Sequence, residues 1–74
     1  MNELEALLEA KRRAGSQAAL GRLCDRTQPA VWGWIHKMKK LPADCVLTVE
    51  AGTGVSRHVL RPDIYPREHA RANA

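Results

Sequence analysis

The chain has 74 residues, 12 of them Lys or Arg against 8 Asp or Glu. That length makes one domain whose single core gives marginal stability, with little room for a buried catalytic cleft. No run of about eighteen apolar residues could cross a membrane, and MNELEALLEA lacks the basic-then-apolar pattern of a leader. The composition therefore predicts a cytoplasmic binding protein rather than an enzyme, with Cys24 and Cys45 as reduced thiols and no cofactor.

Asn2 and Glu5 form the pattern of a capping box opening a first helix. Leu4, Leu7 and Leu8 form its apolar stripe, and Gly15 is a natural stop after Lys11, Arg12 and Arg13. Ser16 reads as the N-cap of a second helix, Gln17 to about Leu23, offering Ala19, Leu20 and Leu23 to the core. Thr27 caps a third, with Pro29 in its first turn. That helix is expected to reach about Met38, because Val31, Trp34, Ile35 and Met38 recur at i, i+3, i+4 and i+7.

Pro42 can open a fourth helix with Cys45, Val46 and Val49 inward and Gly52 to Gly54 ending it. A β-hairpin over 46–55 turning at Gly52-Thr53-Gly54 competes with that reading. Ser56 then caps a short fifth helix through Leu60, and residues 61–66 read as an extended, proline-punctuated segment. The expected architecture is all-α, about five short helices in one domain over 1–66, followed by a flexible tail over 67–74.

Charge is unevenly spread. Residues 11–40 carry eight bases against Asp25 alone, a net of +7, which is the footprint of a polyanion-binding surface. The helices on either side of Cys24–Thr27 have the spacing of a helix-turn-helix over Gln17–His36. Gly21 supplies the small residue where the helices cross. Asp25 stands where φ > 0 is required, and tolerates it better than most residues. Leu20, Cys24, Val31 and Trp34 supply the apolar interior. Arg26, after the turn, can pack its stem while its head stays in water.

Three stretches carry a family resemblance. Ser16-Gln17-Ala18-Ala19-Leu20, Thr27-Gln28-Pro29-Ala30-Val31-Trp32 with Trp34, and Arg57-His58 with Leu60 through Pro66 resemble the Cro-like, YdaS-type regulators of bacterial prophages. The resemblance covers roughly residues 2–66. It implies a λ-repressor-like helical fold and a role as DNA-binding repressor or as antitoxin of a toxin protein. Asp25 and Arg26 depart from the glycine–aliphatic pair common in such turns. The resemblance also implies that Gln17 touches phosphate and braces Gln28, and that the chain is a homodimer, using the fourth or fifth helix with the Leu60–Tyr65 segment.

Gln28 opens the recognition helix, and its amide can pair with adenine N6 and N7; the bland alternative is a solvated helix start. Thr27 serves as a cap first and a phosphate donor second. Pro29, Ala30, Trp32, Gly33, His36 and Lys37 lie on the arc away from the core. Trp32 either covers a thymine methyl or a sugar, or caps the core. Gly33 either admits DNA closely or reflects packing, at a cost of about 1 kcal/mol in helix propensity. Lys37, Lys39 and Lys40 are placed to meet phosphates, with Arg22 a weaker candidate. The expected partner is a double-stranded operator, with no membrane involved; a protein-interaction adaptor with a basic face is the reading from another class. Cys24, His36, Cys45 and His58 are separated by 12, 9 and 13 positions. No close ligand pair of the zinc-site kind exists, so no metal is expected.

Overall fold

The computed structural model describes residues 2–66, so the tail expected over 67–74 lies outside the described residues. Helix α1 (Glu3–Ala14) opens on a reciprocal capping box. Asn2 Oδ1 accepts from the Glu5 N–H at 2.8 Å, and Glu5 Oε1 accepts from the Asn2 N–H at 2.9 Å. Gly15, at φ 115°, ends it. Ser16 caps α2 (Gln17–Leu23) by accepting from the Ala19 N–H at 3.0 Å. Thr27 caps α3 (Gln28–Gly33) by accepting from the Ala30 N–H at 3.4 Å. A 3-10 turn over Ala43–Cys45 leads into α4 (Val46–Thr53), and Ser56 caps α5 (Arg57–Leu60).

Among the described residues there are five α-helices and no strand, so the helical reading of 46–53 holds over the hairpin. Cys45, Val46 and Val49 are all buried. A helix can bring these three to one face, whereas a strand would send Val46 and Val49 to opposite faces. Gly52 lies within α4 rather than after it. Gly54, at φ 79°, is the residue that ends the helix, its N–H bonded to the Glu50 carbonyl at 2.8 Å.

The core draws Ala6, Leu7 and Ala10 from α1, Leu20 from α2, Val31 from α3, Val46 and Val49 from α4 and Leu60 from α5. Three expectations need correcting. Leu8 faces outward, because α1 buries the stripe Ala6–Leu7–Ala10 instead, where small residues admit neighbouring helices. Leu23 is partly exposed and lies over Gly52; a Cβ on Gly52 would sit 2.9 Å from its side chain. Met38 is 46 % exposed rather than buried. The helical run after α3 widens into a π-helical turn, Trp34–Met38. The wider turn keeps Trp34 and Ile35 inside but swings Met38 out. Lys39, in the left-handed region at φ 62°, then reverses the chain, and Leu41 is fully buried.

Residues 61–66 are not extended. The N–H groups of Ile64 and Tyr65 both bond to the Arg61 carbonyl, at 3.2 and 2.9 Å, and wrap the segment into a turn. Arg61 grips both Asp63 oxygens, at 3.0 and 2.8 Å, and donates to the Leu41 carbonyl at 2.9 Å. Its guanidinium holds Asp63 down at about 2. Tyr65 packs against the core beneath the Arg57 guanidinium, which lies 5.7 Å from its ring centre. Leu60 and Tyr65 are therefore used within the chain, and Ile64 remains exposed. Glu50 joins α4 to α5 by accepting from both the backbone N–H and the side chain of Arg57, each at 2.9 Å. Those bonds, the backbone one first, hold its carboxyl below the usual range. No helix among the described residues is long and apolar enough to cross a membrane.

Candidate nucleic-acid interface

The crossing of α2 and α3 depends on Gly21. A Cβ there would stand 2.6 Å from the Arg26 carbonyl oxygen and 3.3 Å from the Val31 side chain. Close approach also lets the Arg26 N–H reach the Gly21 carbonyl at 2.8 Å. Asp25 adopts φ 57°, the left-handed conformation expected of it. Arg26 keeps its head exposed, as expected, but the head is also engaged. Its guanidinium bonds Asp44 Oδ2 at 2.5 Å and the Cys24 carbonyl at 3.1 Å, tying the turn to the segment before α4.

Beneath that tie the Cys45 thiol donates to Asp44 Oδ1 at 3.8 Å, and both cysteines are free thiols. Burial pushes both up, Cys45 to about 12, so neither is a ready thiolate near neutrality. Among the described residues no three His, Cys, Asp or Glu side chains gather as a metal site.

The start of α2 and the outward face of α3 bring four of the expected residues together. Gln17, Gln28, Pro29 and Trp32 line one open cleft of about 330 Å³. The two glutamines lie eleven positions apart in sequence and meet because α2 and α3 cross at Gly21. Trp32 is 47 % exposed, whereas Trp34, two positions on, is 5 % exposed in the core. Pro29, Trp32, Gly33 and His36 form the stripe opposite Val31, Trp34 and Ile35. His36 was not singled out as an interface residue, yet its ring stacks on Trp32 with centroids 4.4 Å apart and planes 32° apart. The i, i+4 spacing of Trp32 and His36 is the signal that locates this pair.

Gly33 has helical dihedrals, φ −63° and ψ −37°, and nothing lies within 4 Å of where its Cβ would stand. Internal packing therefore does not account for the glycine. Thr27 is exposed, but its hydroxyl serves the Ala30 N–H. Ala30 is partly buried against the core and contributes least to the face.

The basic cluster is less free than its sequence total. Arg12 and Arg13 both hold Glu9, at 2.6 and 2.7 Å, and lower its carboxyl to about 2, the Arg12 bond contributing most. Arg26 is engaged by Asp44. Lys40 is half-buried and close enough to Asp63 to help hold that carboxyl ionised. Among the described residues Lys11, Arg22, Lys37 and Lys39 make no ion pair. Of these, Lys37 and Lys39 follow directly from the recognition helix.

Two short helices crossing at a glycine through a left-handed turn, the second presenting an exposed glutamine, define a small helix-turn-helix protein. The family model described as "Bacterial toxin YdaS" matches residues 7–69, and the chain belongs to that family. Its membership makes it a small regulator or a component of a toxin–antitoxin pair. No curated protein and no solved structure matches the chain.

Proposed function

We propose that the protein is a sequence-specific, Cro-type DNA-binding repressor of prophage kind. On this reading it works in the cytoplasm without catalysis or cofactor. Two copies place their recognition helices in successive major grooves of a palindromic operator, about one helical turn apart, and repress by occupancy. The observation that carries the reading is the meeting of Gln17 and Gln28 in one exposed cleft on the helix-turn-helix. Gln28 reads adenine through its paired donor and acceptor, Gln17 braces it and touches phosphate, and Lys37 and Lys39 neutralise flanking phosphates. Exposed Leu47 and Ile64 are among the apolar side chains available to a second copy outside this face.

The family description itself favours a second reading, a toxin–antitoxin component that uses the same DNA surface to regulate its own operon. Fluorescence-anisotropy titrations at several salt concentrations, with the upstream DNA of its own gene against random duplex, test the shared DNA-binding core. Affinity should fall steeply with salt and favour the upstream sequence. Equal, weak binding to both duplexes would overturn the proposal.

A further inference from the structure

The cleft at the start of α3 is amphipathic in a specific way. Two of its lining residues, Pro29 and Trp32, present ring surfaces, and the other two, Gln17 and Gln28, present amides. None of the four is charged, so the cleft offers no countercharge to a phosphate, and it holds no carboxylate, thiol or imidazole for a metal. Trp32 is exposed yet backed by the His36 ring at 4.4 Å, so its indole has a neighbour fixing one side. Gly33, one residue on and four from Pro29, leaves the adjoining surface without a side chain.

The flanking charge indicates duplex nucleic acid, because Lys37 and Lys39 stand without ion pairs among the described residues. Within a major groove the apolar group presented by a base edge is the pyrimidine C5-methyl. We infer that the Pro29–Trp32 wall of this cleft is a subsite for the C5-methyl of a pyrimidine, set beside the base read by Gln28. Thymine and 5-methylcytosine share that methyl. The amides choose between them: a glutamine presents one donor and one acceptor, matching adenine N6 and N7, whereas guanine, the partner of 5-methylcytosine, presents two acceptors. The occupant is therefore the thymine paired with the adenine that Gln28 reads. This inference rests on the DNA-binding reading above.

The test changes the DNA rather than the protein, so folding does not intervene. A duplex selected by the protein from a random pool is resynthesised with deoxyuridine replacing each thymine in turn, which removes the methyl alone. At one thymine per half-site the affinity should fall about fourfold, the worth of one buried methyl-sized group, and remain unchanged at thymines outside the recognition-helix contacts. Trp32→Ala should bind the thymine and uracil duplexes equally. A 5-methylcytosine–guanine pair at that position should recover only part of the loss; equal or tighter binding to it would overturn the assignment to thymine. Selective DNA binding that ignores every thymine-to-uracil change would overturn the subsite while leaving the DNA-binding reading intact. Absence of any selected duplex would overturn both.

Discussion

Replacing Gly33 with alanine should move stability and DNA affinity in opposite directions. The backbone there is already helical, at φ −63° and ψ −37°, and the space a Cβ would fill is empty to 4 Å. The substitution adds no clash and recovers the helix propensity lost to glycine, about 0.8–1.0 kcal/mol. In a domain of this size that corresponds to a rise in melting temperature of about 4–8 °C. On the proposed reading the same methyl projects from the stripe shared with Pro29 and Trp32, the stripe that would face the groove. A separation forced there should loosen the contacts on either side and cost about tenfold in affinity for the selected site, or about 1.4 kcal/mol. Thermal melts followed by circular dichroism give the first quantity and anisotropy titrations the second. A stabilised variant that binds as well as the parent would refute the close approach, and a destabilised one would refute the open space.

Gln28→Ala should cost about 1–3 kcal/mol on the selected site and little on random duplex, read by paired anisotropy titrations; a uniform loss would make Gln28 a mere solvated helix start. Lys37→Ala should weaken binding to both duplexes alike and reduce the salt slope by about 1, whereas a sequence-selective loss would give it a reading role. Gly21→Ala should destabilise by about 1–3 kcal/mol in denaturant titrations, since a Cβ 2.6 Å from a backbone oxygen forces the turn apart; an unchanged midpoint would contradict the close crossing. Glu9 sits at about 2 against an ordinary 4.5, and Asp63 at about 2 against 3.8. With folded values depressed, the unfolded chain binds protons first as pH falls. Their contribution is present above about pH 4.5 and lost toward about pH 2. Glu9→Gln should flatten that part of a melting-temperature profile, and an unaltered profile would place the acid sensitivity elsewhere.

Features set by neighbours within a turn were legible in the sequence. The caps at Asn2, Ser16, Thr27 and Ser56 each need only a hydroxyl or amide two or three residues from an N–H. The left-handed Asp25 follows from the turn it occupies. What escaped was set at longer range. Periodicity carries an α-helix straight through to Met38, and nothing local announces the π turn that turns it outward. The count of bases in residues 11–40 could not reveal that Asp44 engages Arg26, 18 positions away. The competition between helix and hairpin at 46–55 arose because Val46-Leu47-Thr48-Val49 suits a strand locally. Burial of both Val46 and Val49 against the other helices decides it. At the candidate site the glutamines were legible singly, and their sharing a cleft was not, because it depends on the crossing at Gly21.

The two tryptophans show how the recognition helix divides its work. An α-helix of six residues cannot persist by itself in water, so α3 exists because Val31, Trp34 and Ile35 anchor it from one side. Truncating Trp34 would remove about 3–5 kcal/mol, comparable to all that a core of this size supplies. Trp32 lies on the opposite face, backed by His36 and not by the core. The outward stripe therefore adds little to folding, and only its proline, in the first turn of α3, is explained by folding: an exposed indole and a glycine with empty space above it are poor choices for a solvated helix face. They suit a surface that is completed by something placed against it, and the two amides beside them suit that something being the edge of a base pair.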